Sequence, residues 1–147
     1  MDIEPVLCQS IIFSDLTIRE FGTDKITMVG SFTQFNAPHF PFIAGPFHVT
    51  VLVTNIPATG EDLPVTIRVE QSGSGHVLAS VSGSITLPPT HTREDVAQVV
   101  FGFGPTAYVA PGKYDVVVLV KNEPIGKRPL FIKSISSSTT TQRLENQ

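Results

Sequence analysis

The feature that most constrains this chain is a two-residue alternation of apolar and polar side chains, repeated along most of its length. Residues 63–70 carry it most clearly. Val65, Ile67 and Val69 interleave with Pro64, Thr66, Arg68 and Glu70. Successive side chains of a strand point to opposite sides, so this run describes a strand with one face on a core and one in water. The same reading predicts eight strands: residues 6–13, 25–35, 47–54, 63–71, 76–87, 96–103, 114–121 and 125–135. No segment sustains the period of a long helix. Short strands separated by turn residues predict an all-β fold, a single immunoglobulin-like β-sandwich of about eight mostly antiparallel strands. An eight-stranded β-barrel is the alternative, because periodicity alone does not separate the two.

The connections carry their own chemistry. Residues 21–24 read as a turn, with Gly22 free to take positive φ. Residues 36–46 hold Pro38, Pro41 and Pro46 among Phe35, Phe40, Phe42 and Phe47. Proline cannot donate to a ladder, so this segment is expected to be a loop whose phenylalanines plug one end of the core. Gly83 suggests a bulge in a long strand. Thr92 and Asp95 have the spacing of a helix cap, which predicts at most one helical turn before the strand at 96–103. The domain division is a sandwich over residues 1–135 and a Ser/Thr-rich tail over 136–147, expected to be disordered.

Composition then narrows the function. At 147 residues the chain fits one domain, and its charged content of 16% is low beside the roughly 25% of soluble domains. A net charge of -3 with ten scattered basic residues argues against nucleic acid, which needs clustered Lys and Arg. A lone cysteine, Cys8, excludes an intrachain disulfide and reads as a buried, inert thiol. The first residues are acidic rather than basic, and the longest apolar run, 116–120, is far too short for a bilayer. A cytoplasmic protein with no membrane partner is expected.

Three segments taken together carry a resemblance. "LCQSIIFSD" is followed by "KITMVGSFTQFNAPHFPF"; "HVTVLVTN" precedes "LPVTIRVEQ"; and "PGKYDVVVLVKNEPIGKRPLFI" closes the domain. Together they are similar to a family of small, functionally uncharacterised bacterial all-β domains, over about the first 133 residues. The resemblance implies the immunoglobulin-like sandwich and no reaction. Fold does not imply function.

The search for chemistry returns little. His39, His48, His76 and His91 form no HxH, HxxxH or HExxH pattern, so no metal or other cofactor is expected. No nucleophile elbow surrounds any serine, and the acid pairs Glu61-Asp62 and Glu94-Asp95 lie in turns. An enzyme is not expected. A loop-end ligand site is conceivable from His39, Phe40, Phe42 and His91, if both proline-flanked histidines lie at one end. The more informative irregularity is apolar on both faces. If strands 96–103 and 114–121 are neighbours, Val96, Val100, Val117 and Leu119 form an outer patch that Phe131 extends. Contiguous exposed apolar patches mark interfaces, although the protein's own loops could cover this one. The expected function is a non-enzymatic interaction or structural module, self-associating as a homo-oligomer or binding another protein. The alternative is a small-ligand or carbohydrate-binding module using the Pro/Phe-rich loop.

Overall fold

A computed structural model describes residues 5–135. Among them are eleven strands: β1 (Leu7–Arg19), β2 (Ile26–Phe32), β3 (Gln34–Ala37), β4 (Phe42–Ala44), β5 (Phe47–Thr54), β6 (Leu63–Gln71), β7 (Val77–Ile85), β8 (Ala97–Phe103), β9 (Thr106–Tyr108), β10 (Gly112–Val120) and β11 (Glu123–Ser134). They form a four-stranded sheet in the order β2-β1-β5-β8, a five-stranded sheet in the order β3-β11-β10-β6-β7, and the small pair β4-β9. Every pairing is antiparallel except β3 with β11. The all-β immunoglobulin-like sandwich is therefore the fold, and the barrel is not, because the strands pair into separate sheets with open edges.

The alternation places the core between the two large sheets. Val49, Val51 and Val53 of β5 face Val65, Ile67 and Val69 of β6 and Val116 and Val118 of β10, all buried. Burying one such side chain contributes about 1.5–3 kcal/mol. One end is aromatic. Phe47 stacks on Phe103 at 5.3 Å and meets Phe13, Phe32 and Phe35 edge-on. Phe42 and Tyr108 join through Phe35. The plug expected from the proline-rich segment is real, but that segment is not simply a loop. Its aromatics pull it against the core closely enough for β4 to pair with β9, a strand too short to show any period.

Local details follow from packing. Residue 83 is glycine because a Cβ there would stand 3.1 Å from the Phe101 ring. The register shift of that hairpin lies between Val69 and Glu70 instead. Residues 92–95 form a turn closed by the Thr92 N–H donating to the Asp95 carboxylate at 2.8 Å. The Tyr114 hydroxyl donates to the Ala110 carbonyl at 2.7 Å, the back-bonding of a tyrosine corner in immunoglobulin-like sandwiches. One side of the sandwich is closed by Arg128, which donates to the Ile11 carbonyl at 2.6 Å and lies 4.5 Å above the Phe13 ring. The tail at 136–147 lies outside the described residues.

Candidate interaction surface

The expected patch does not exist as one surface. Val96 and Val100 belong to the β8 side of the four-stranded sheet, whereas Val117, Leu119 and Phe131 belong to β10 and β11 of the other sheet. Sequence periodicity reports which way a side chain points and says nothing of which strands are neighbours. The condition for the patch, that strands 96–103 and 114–121 be neighbours, is not met, because β8 and β10 lie in different sheets.

On the five-stranded sheet, Val117 is 7% exposed and Leu119 is 5% exposed, although both point away from the core. The register explains it. β10 is central, and Val117 stands between Arg68 of β6 and Lys127 of β11, with Leu119 between Thr66 and Pro124. Directly opposed side chains on one face sit about 5 Å apart. Long side chains lay their aliphatic stems over apolar neighbours while keeping the charge in water. Arg68 also pairs with Glu70 at 3.1 Å. The ridge is out of water within the single chain. Phe131 remains 40% exposed, opposite Lys113.

The outer face of the four-stranded sheet is built differently. Register puts Ile12 beside Thr50 and Thr50 beside Val100; Ser10 beside Leu52 and Leu52 beside Gln98; Ser14 beside His48 and His48 beside Gly102. Not one of these positions carries Asp, Glu, Lys or Arg. Ile12, Leu52 and Val100 are partly exposed, and Val96 and Leu7 at the margin are 56% and 40% exposed. Thr50, at the centre, is buried, and its hydroxyl has no hydrogen-bond partner. Beyond β5, β1 and β2 continue as a two-stranded arm on which Leu16 opposes Val29, both 42% exposed, and Phe21 at the tip is fully exposed. The signal for this face was present in the alternate positions of residues 48–54, which hold His, Thr and Leu but no charge.

The loop-end set also separates. His39 lies between β3 and β4, at the end where β5 begins, whereas the His91 ring donates from Nε2 to the carbonyl of Ile56, just beyond the other end of β5, at 2.8 Å. His91 is buried in a structural bond, with the Asp95 carboxylate 3.8 Å from Nδ1. Phe40 and Phe42 are spent on the core. Among the described residues no group of three His, Cys, Asp or Glu stands close enough to hold a metal, and no helix is long and apolar enough to cross a membrane. A cleft of about 350 Å³ lies between β7 and β9, floored by Leu78, Ala79 and Tyr114. Burial pushes the Cys8 thiol above its ordinary pKa, against a smaller lowering by a hydrogen bond with the Ser10 backbone. Burial, reinforced by the neighbouring Tyr114, raises that of Tyr108 strongly.

These features define a well-known class, an immunoglobulin-like sandwich, here with one outer sheet face whose central register positions carry no charge. The chain belongs to the family described as "Family of unknown function (DUF6941)", which its residues 9–133 match. Similar solved structures include the alkylpurine DNA glycosylase AlkC of Pseudomonas fluorescens bound to DNA containing an abasic site analog, with a TM-score of 0.46 and 14% identity over 87% of this chain. The chain spans 30% of the length of that glycosylase. Another is an immunoglobulin-like protein from Pseudomonas aeruginosa, with a TM-score of 0.42 and 12% identity over 89% of this chain and 98% of that one. No curated protein matches.

Proposed function

We propose that this protein is a non-enzymatic interaction module that self-associates through the outer face of its four-stranded sheet. The observation that carries the proposal is the absence of any charged residue from the register positions around Thr50, with Ile12, Leu52 and Val100 partly exposed there. A face without charges meets a second copy of itself with no like-charge repulsion, and an isologous contact of this kind closes as a dimer. Desolvating it costs little, because no ion must be stripped of water. The low charge content of the whole chain has the same sense.

The test is the solution mass, by light scattering on a sizing column at high micromolar concentration. The expected result is a mass twice 15.9 kDa, reduced to one copy by Leu52→Lys with Val100→Lys. A monomer at every concentration, or a dimer indifferent to both substitutions, ends this proposal.

A further inference from the structure

The opposite side of the molecule has a different character. Along β11 the outward side chains are Lys127, Pro129, Phe131 and Lys133, since Leu130 and Ile132 between them are buried in the core. The other charges of this sheet face are matched: Arg68 with Glu70 at 3.1 Å, and Lys113 with Asp115 at 4.0 Å. Lys127 and Lys133 have no acidic partner among the described residues. Phe131 lies between them, 40% exposed, with Gln34 of β3 on its other flank. The result is a stripe with a cation at each end and an aromatic ring inside it.

We propose that this stripe binds an extended peptide segment of another protein, one bearing two acidic side chains six residues apart around an apolar residue. The geometry sets the occupant. Six residues of strand span about 20 Å, so a second extended chain laid along β11 brings its own residues i and i+6 to the two lysines. A small anion reaches only one of them. Nucleic acid presents phosphates at about 3.4 Å rise per strand and gains from closely spaced cations, whereas here the interval is filled by proline and phenylalanine. Apolar contact in the middle with charge pairing at the ends gives specificity through complementarity more than raw affinity. The proposal is independent of the self-association above. A dimer joined through the four-stranded sheets leaves one stripe facing outward on each copy, so the assembly would bridge two peptide segments.

The experiment uses the full chain and a fluorescein-labelled peptide with two glutamates six residues apart and a leucine between them. Anisotropy gives the affinity, and backbone amide shifts give the location. The expected result is shifts along residues 127–133 and an affinity that falls at least about tenfold, near 1.4 kcal/mol, in Lys127→Glu with Lys133→Glu. It also falls as salt rises from about 0.1 M to about 1 M, which shortens the Debye length from about 10 to about 3 Å. Lys25→Glu, on the β1–β2 arm, leaves binding unchanged. The proposal is overturned if the shifts lie elsewhere, if the Lys25 variant loses as much affinity, if the glutamine version of the peptide binds equally well, or if duplex DNA binds the stripe more tightly. Sizing of the same variants keeps the two proposals apart, because loss of peptide binding with an unchanged mass concerns β11 alone.

Discussion

The two outer faces of this sandwich solve the same problem in opposite ways. Both carry apolar residues that point away from the core. On the five-stranded sheet, Val117 and Leu119 sit on a central strand and are hemmed in by Arg68, Lys127, Thr66 and Pro124. On the four-stranded sheet, Ile12, Leu52 and Val100 have only Ser, Thr, Gln, Gly and His for neighbours. Short polar side chains have no stem to lay over an apolar neighbour, so that surface stays open to water. Hydrophobicity in the sequence is the same in both cases. Val117 lies between two long charged side chains and Leu119 between Thr66 and Pro124 on a central strand, whereas the four-stranded face has no charged neighbour; strand order, not hydrophobicity, separates the two.

The largest effect should follow from treating the covered ridge as if it were a free surface. Leu119→Asp places a carboxylate where only 5% of the side chain's surface reaches water. Lost burial and a desolvated charge together should cost roughly 3–5 kcal/mol, read as a lower urea midpoint. The comparable change on the other face, Leu52→Lys, should cost about 1 kcal/mol while weakening self-association. If both variants lose equal stability, the contrast between the faces is false.

Much of the architecture was legible because burial imposes a period of two. The strands at 47–54 and 63–71 match their expected limits. The aromatic plug was also legible, since proline-bracketed phenylalanines have nowhere else to go. Strand adjacency was not. Val100 and Val117 look alike in sequence, yet one has Thr50 beside it and the other Arg68 and Lys127, partners that lie 50, 49 and 10 residues away along the chain. His39 and His91 failed for the same reason. Both are flanked by prolines, and β5 runs the length of the sandwich between them. The peptide stripe on β11 was missed because its lysines alternate with Arg128 and Leu130, which reads as ordinary strand patterning until the ion pairs of the neighbouring strands are known.

A middle-sized effect concerns the aromatic end that holds both sheets in place. The Tyr108 hydroxyl is buried without a partner, and burial raises its pKa. The folded chain therefore keeps this proton to higher pH than the unfolded chain does. With fewer protons bound when unfolded, stability falls as pH rises. The contribution is complete below about pH 10, where an unfolded tyrosine begins to ionise, and is lost above it at up to about 1.4 kcal/mol per pH unit. Tyr108→Phe should flatten that alkaline decline and leave stability at pH 7 unchanged or slightly higher, since an unsatisfied buried hydroxyl is removed. Tyr114→Phe differs, because its hydroxyl is used. It should cost about 1 kcal/mol at pH 7 through the lost bond to Ala110. Urea titrations of both variants at pH 7 and pH 11 separate them, and identical behaviour would mean that the two hydroxyls are equivalent after all.

The smallest effect probes the centre of the charge-free face. Thr50 is flanked by Ile12 and Val100, and its hydroxyl is buried with no partner. Thr50→Val keeps the shape and β-branching and removes only the orphan polar group. Leaving such a group unpaired costs on the order of 1 kcal/mol, so the monomer should gain up to that amount. The hydroxyl is already out of water in the single chain, so dimerisation desolvates nothing more at this position. Melting temperature should therefore rise modestly while dimer affinity stays as it is. A variant that melts higher yet dimerises more weakly would show that the threonine hydroxyl finds its partner across the interface, and the face would then be a polar-centred contact rather than an apolar one.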